Sequence, residues 1–208
     1  MILLIFAIIV GSYLLGSIPF GLLIGKMNGI DIRKVGSCNI GATNVSRTVG
    51  KNWGKLCFFL DLMKGFLPTF IATMIFSKNA ELKSFVPLLA GAASMLGHMF
   101  SIYLKFTGGK GVATGGGIIL GLAPWTFVAA IASWAIVFLI SRYVSLASIV
   151  AAASLAIYAI IFRFLGIQFV PWTSIIFFAV IGSIAIYRHH SNIKRLLNGT
   201  ENKFERKK

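Results

Sequence analysis

Residues 111–141, GVATGGGIILGLAPWTFVAAIASWAIVFLIS, decide how many times this chain crosses a membrane. The run is uncharged, is 31 residues long and has Pro124 near its middle. As one helix it would extend about 46 Å, well beyond a bilayer core of about 30 Å. As two helices broken at the proline it gives two short crossings.

Loop charge favours the two-helix reading. The other apolar runs predict spans at about residues 2–25, 53–77, 85–104, 144–162 and 168–187, each near the length a crossing needs. Splitting 111–141 into spans at 112–123 and 125–141 gives seven crossings. Sixteen of the twenty Lys and Arg residues then lie on one side, against Lys78, Lys83 and Arg163 on the other, with Lys64 inside a span. An unsplit run gives nine against ten. Cytoplasmic loops are enriched in Lys and Arg, so the expected fold is an all-α integral membrane bundle of seven spans with one or two short ones. Its N-terminus lies outside and its C-terminus in the cytoplasm.

Composition agrees. A chain of 208 residues with 57% hydrophobic residues and a mean hydropathy of +0.87 belongs with membrane proteins, and its length suits a single domain over 1–208. The net charge of +15 borders apolar spans, which points to lipid headgroups and orientation and away from nucleic acid. Met1–Gly25 lacks the basic start of a secretory signal and reads as a retained first helix, bent near Pro19. Cys38 and Cys57 are too few for a disulfide framework. Asp61 and Lys64, at i and i+3 within the second span, read as an internal ion pair. Gly115-Gly116-Gly117 suits close helix packing or a re-entrant turn.

The charge pattern places three polar loops on the cytoplasmic side. The first runs Gly36-Ser37-Cys38-Asn39-Ile40-Gly41-Ala42-Thr43-Asn44 with Arg47, and the second Thr107-Gly108-Gly109-Lys110-Gly111-Val112-Ala113-Thr114. The third is Arg188-His189-His190-Ser191-Asn192-Ile193-Lys194-Arg195. Glycine lets backbone N–H groups approach a ligand, and hydroxyl, amide, Lys and Arg groups donate to phosphate oxygens. The second loop lacks the GxxxxGK[ST] spacing, so ATP does not follow. His98, at the end of the third span, and His189 are candidate general bases. No metal ligand set or cofactor is expected, because three histidines without clustered carboxylates or thiolates do not form one. The basic residues of 203–208 read as a topology-securing tail. Chemistry at such loops leans on cations and backbone amides.

The order of these motifs resembles the bacterial acyl-phosphate:glycerol-3-phosphate acyltransferases (PlsY family). The matching residues are Ser37 to Arg47, Gly97-His98, Leu104 to Thr114, and Arg188-His189 with Asn192, Ile193, Arg195, Leu196, Gly199, Thr200 and Glu201. Cys38 stands where that pattern usually has glycine, and Ser101 where it has proline. The resemblance implies acyl transfer from acyl phosphate to the 1-hydroxyl of glycerol 3-phosphate, giving lysophosphatidic acid and phosphate at the bacterial inner membrane. An upstream enzyme would supply the acyl phosphate. It further implies that Ser37, Arg47, Lys110, His189 and Asn192 carry catalysis. Asn39, Thr43, Asn44, His98, Gly108, Gly109, Gly111, Ser145 and Arg188 join them in binding substrate, and Glu201 holds its loop in place. The rival reading is a small organophosphate or anion transporter, although the polar loops gather at one face and not at mid-bilayer.

Overall fold

In a computed structural model the described residues, 1–204, are helical, with no named strand among them. The basic residues of the expected tail beyond Phe204 lie outside the described residues. The chain forms two compact units divided between Leu122 and Ala123.

The first unit contains α1 (Ile2–Ser17), α2 (Phe20–Met27), α3 (Ala42–Thr48), α4 (Lys51–Phe76), α5 (Val86–Met99) and α6 (Val112–Leu122). Helix α4 packs against α5, α6 and α3, and α1 packs against α5. Close packing between α4 and α6 follows from glycine: a Cβ on Gly117 would meet the Leu62 carbonyl oxygen, and one on Gly65 the Thr114 carbonyl oxygen. The Gly115–Gly117 run is therefore helical, and Gly117 serves helix packing. Large apolar side chains such as Phe59, Ile71, Met74 and Ile75 stay exposed along α4, as lipid-facing residues do, while Asp61 and Lys64 turn inward.

Two prolines break backbone hydrogen bonding within this unit, and polar side chains from elsewhere repair it. Pro19 separates α1 from α2, as the sequence predicts. Beside that break, the Ser17 carbonyl accepts from Ser101 Oγ at 2.6 Å and the Ile18 carbonyl from Lys64 Nζ at 3.0 Å. Pro68, inside α4, has no N–H for the Lys64 carbonyl four residues earlier. Ser94 of α5 donates its hydroxyl to that oxygen instead, at 2.5 Å. In a bilayer such carbonyls need a donor from within the protein, and the Ile18 carbonyl has a second one in the Phe20 N–H at 3.1 Å.

The third apolar run differs from expectation. Its helix stops at Met99, and residues 101–107 form a tight hairpin around a one-turn 3-10 helix, Ile102–Leu104, closed by a bridge between Ser101 and Thr107. Ser101 is buried and bonded to Ser17, which draws the chain back before residue 104. Its φ of −64° is one that proline also adopts, so the departure from the family pattern keeps the backbone and adds a hydroxyl bond.

The second unit contains α7 (Pro124–Ser141), α8 (Val144–Phe164), α9 (Trp172–Tyr187) and α10 (His190–Leu197). Helix α8 packs against α7, α9 and α10. The helix over 111–141 is interrupted at Ala123, with Pro124 opening α7, where its missing N–H is harmless. Helix α9 starts at Trp172 and not at 168, because Pro171 sits at its N-cap.

By length and composition four helical segments suffice to cross a bilayer: Ile2–Met27, Lys51–Phe76, Pro124–Ser141 and Val144–Phe164. A fifth is reached if α9 and α10, bent by 57°, are taken together. Val86–Met99 and Val112–Leu122 are apolar but shorter. The protein is thus a multi-pass integral membrane protein, helical throughout its named elements among the described residues.

Candidate active site

In the first unit the glycine- and asparagine-rich loop is organised around one buried amide. Asn44, 1% exposed, donates from Nδ2 to the carbonyls of Ile32, Val35 and Asn39 at 2.9–3.1 Å. Its Oδ1 accepts from the Ser37 N–H at 2.9 Å. Gly36, at φ +61°, passes so close that a side chain there would meet Asn44 Oδ1. Asn39 Oδ1 in turn accepts from the Gly41 N–H at 2.9 Å, just ahead of α3. Ile32, Ile40 and Val45 pack with Leu22, Ile24 and Cys57 beneath the loop. Ser37 is thereby left exposed on a fixed backbone, while Thr43 and Arg47 sit half-buried on α3.

Cys38 has a φ of +56°, a left-handed conformation that L side chains rarely adopt. This explains why glycine is usual there. Cys38→Gly is expected to raise unfolding stability by about 0.5–1 kcal/mol, the steric relief exceeding the entropic penalty of glycine. Thermal unfolding in detergent checks this, and a lower Tm for the glycine variant would contradict it.

The second loop folds onto His98. The Gly109 N–H donates to the His98 carbonyl at 3.1 Å. A Cβ on Gly108 would strike that carbonyl, and one on Gly109 would strike His98 Nε2. Gly111 takes a φ of +85° to lead into α6. Lys110, between them, is half-buried. The first two loops converge here: a concavity of about 190 Å³ is lined by Cys38 and Asn39 from one, and by Thr107 and Gly108 from the other. Arg33, Ile40 and Leu104 complete it. Arg33 is fixed beside it by two bonds to Asp31, at 2.9 and 2.7 Å, and its guanidinium holds the Asp31 carboxyl well below the usual range. Arg33 is a lining residue that motif reading passed over, and the Asp31-x-Arg33 spacing was the signal available for it; Leu104 and Thr107 belong to the motif but were not singled out as site residues.

In the second unit Glu201 joins three segments. Its Oε1 accepts from Ser145 Oγ at 2.9 Å and Asn192 Nδ2 at 2.8 Å, and its Oε2 from Arg195 Nε at 2.7 Å. Ser145, Asn192 and Glu201 are all buried. Asn192 and Arg195 of the third loop and Ser145 at the start of α8 therefore come together through one carboxylate. His189, 4% exposed, places Nδ1 2.7 Å from the Ala185 carbonyl. A carbonyl only accepts, so Nδ1 carries the hydrogen and Nε2 is the acceptor of the neutral ring. Arg188, half-buried, precedes it at the end of α9.

Burial pushes the Glu201 carboxyl up, but the bonds from Asn192, Arg195 and Ser145 outweigh it and hold the group below its ordinary value of 4.5. A carboxyl depressed on folding stabilises above its unfolded pKa, and that contribution is lost as pH falls through the folded value. The Tm gap between wild type and Glu201→Gln is therefore expected to hold from about pH 7 to about pH 5 and to shrink below the ordinary value. A gap unchanged down to about pH 3 would contradict this.

A sequence model of the glycerol-3-phosphate acyltransferase family matches residues 6–199. The glycerol-3-phosphate acyltransferase of Aquifex aeolicus (strain VF5) is 45% identical over 197 residues, covering 95% of this chain and 97% of that protein. That of Geobacillus kaustophilus (strain HTA426) is 44% identical over 193 residues, covering 92% of each. The crystal structure of PlsY (YgiH), an integral membrane glycerol 3-phosphate acyltransferase, in its glycerol 3-phosphate form is similar with a TM-score of 0.88 and 43% identity. It covers 97% of this chain and 96% of that one. The lysophosphatidic acid form of PlsY gives 0.86 and 42%, covering 97% and 95%.

Proposed function

The chain belongs to the glycerol-3-phosphate acyltransferase (PlsY) family, and on that footing we propose that it transfers a fatty acyl group from acyl phosphate to the 1-hydroxyl of glycerol 3-phosphate. The products are lysophosphatidic acid and inorganic phosphate. The observation that carries this reading is the meeting of the two phosphate-suited loops at one concavity beside Arg33. The glycerol 3-phosphate and lysophosphatidic acid forms of the related PlsY support the acceptor and the product.

Acyl phosphate is already activated, so no covalent acyl-enzyme is needed. The glycerol hydroxyl oxygen bonds to the carbonyl carbon, and the bond from that carbon to the phosphate oxygen breaks with its electron pair on phosphate. The hydroxyl proton passes to a phosphate oxygen or to His189 Nε2. The protein lowers the barrier by aligning the two substrates and neutralising the departing phosphate. Arg47 and Lys110 supply the charge, Ser37 and Asn192 orient, and the backbone N–H groups of Gly108 and Gly111 cradle the acyl phosphate, while Gly109 shapes the cradle through its N–H bond to the His98 carbonyl. Asn39 and Thr43 contribute to binding, and Arg188 adds charge. Asn44 and Ser145 act by shaping their loops, since Asn44 bonds to its own loop and Ser145 to Glu201. His98 supports the glycine loop.

The proposed setting is the bacterial inner membrane. Seven crossings put these loops in the cytoplasm, with α5 and α6 as the short crossings and a single catalytic domain throughout. The loop-charge asymmetry supports it. An upstream enzyme that forms acyl phosphate would supply the donor. The test is purified protein with radiolabelled glycerol 3-phosphate and acyl phosphate. Labelled lysophosphatidic acid is expected; its absence, with label accumulating inside vesicles holding only this protein, would favour the transporter reading.

A further inference from the structure

We infer that Asp61, inside the membrane-spanning part of α4, is a positioning residue for the glycine loop and acts on it through His98. The starting point is a line of contacts that ion pairing alone does not require. Lys64 Nζ lies 2.9 Å from Asp61 Oδ1 and 3.0 Å from the Ile18 carbonyl oxygen at the α1–α2 break, with the Phe20 ring 5.7 Å away. Asp61 Oδ1 also lies 3.8 Å from His98 Nδ1, an electrostatic contact longer than a hydrogen bond. The opposite edge of the same ring, Nε2, fills the space where a Cβ on Gly109 would fall. The His98 carbonyl accepts the Gly109 N–H. Asp61, Lys64 and His98 are 3%, 2% and 5% exposed, so little water screens them.

These contacts give the carboxylate two functions. It balances Lys64, and it favours the ring orientation that turns Nδ1 toward Asp61 and Nε2 toward Gly109. Gly109 directly precedes Lys110, so a rotated His98 ring would displace the backbone that aims the lysine. Packed glycine transmits this shift because it has no side chain to absorb it. The functional consequence falls on the acyl-phosphate side of the reaction, and in that respect the inference rests on the function proposed above.

The test compares two charge-neutral pairs. Asp61→Leu with Lys64→Met replaces the ion pair by apolar side chains of similar bulk, which buried pairs commonly tolerate. Asp61→Asn with Lys64→Met also removes both charges but keeps an oxygen facing His98. The leucine pair is expected to keep a near-native Tm while KM for acyl phosphate rises about tenfold and KM for glycerol 3-phosphate stays unchanged; the asparagine pair should stay closer to wild type. Both pairs matching wild type, or both raising the two KM values together, would overturn the inference. Gly109→Ala is read alongside, since it leaves the ion pair intact and presses only on the His98 ring. Raised KM for acyl phosphate is expected there too, and an unchanged value would overturn the link even if the leucine pair fails to assemble. An inactive wild-type protein would instead refute the proposed function, so the two failures are distinguishable.

Discussion

Lys110→Ala is expected to lower turnover about a thousandfold while the protein still inserts, purifies and melts as wild type does. The departing phosphate gains negative charge as its bond to the acyl carbon breaks. A cation held on a rigid loop in a partly dry site stabilises that charge far better than water would. Lys110 is half-buried on a loop pinned by the Gly109 bond to the His98 carbonyl, an anchor that the substitution leaves in place. Arg47→Ala should behave alike. Arg47→Lys should recover only part, because a single ammonium does not reproduce a two-pronged guanidinium grip on phosphate. Steady-state kinetics with melting curves on the same preparations check this, and activity near wild type would remove either residue from the site.

Lys64→Met alone is expected to destabilise the fold by about 3–5 kcal/mol. Methionine replaces the stem but not the charge, leaving the Asp61 carboxylate, 3% exposed, without its cation. The Ile18 carbonyl at the α1–α2 break loses its lysine donor at the same time. Adding Asp61→Leu should return most of the loss, since two apolar groups leave no charge stranded. Unfolding in detergent measures both, and a single variant as stable as wild type would refute the account of the pair.

The legible parts of this fold are those with strong local chemistry. Pro19 and Pro124 mark a helix break and a helix start because a missing N–H acts locally, whereas the start that Pro171 sets for α9 falls at Trp172 and not at the expected 168. The Asp61–Lys64 pair follows from i, i+3 spacing in an apolar run. Tertiary repair was not legible. Nothing near Lys64 in sequence points to the Ile18 carbonyl, and nothing near Ser94 reveals that Pro68 leaves it an acceptor on α4. The hairpin at 101–107 was hidden because Ile102, Tyr103 and Leu104 prolong the apolar run before it, and the hydroxyl that turns it bonds 84 residues away. At the candidate site, the motifs identified the chemical groups but not their division of labour. Asn44, Ser145 and Asn192 look like ligand donors in sequence, yet all three bond to the protein itself. Arg33 joins the concavity because Asp31 fixes it there.

The most direct measurement offers the purified protein glycerol 3-phosphate with acyl phosphate or with acyl-CoA, and follows lysophosphatidic acid and phosphate together. The account predicts that acyl phosphate alone supports the reaction, releasing one phosphate for each lysophosphatidic acid formed. Product from acyl-CoA in the absence of acyl phosphate, or phosphate release without acylation, would contradict it.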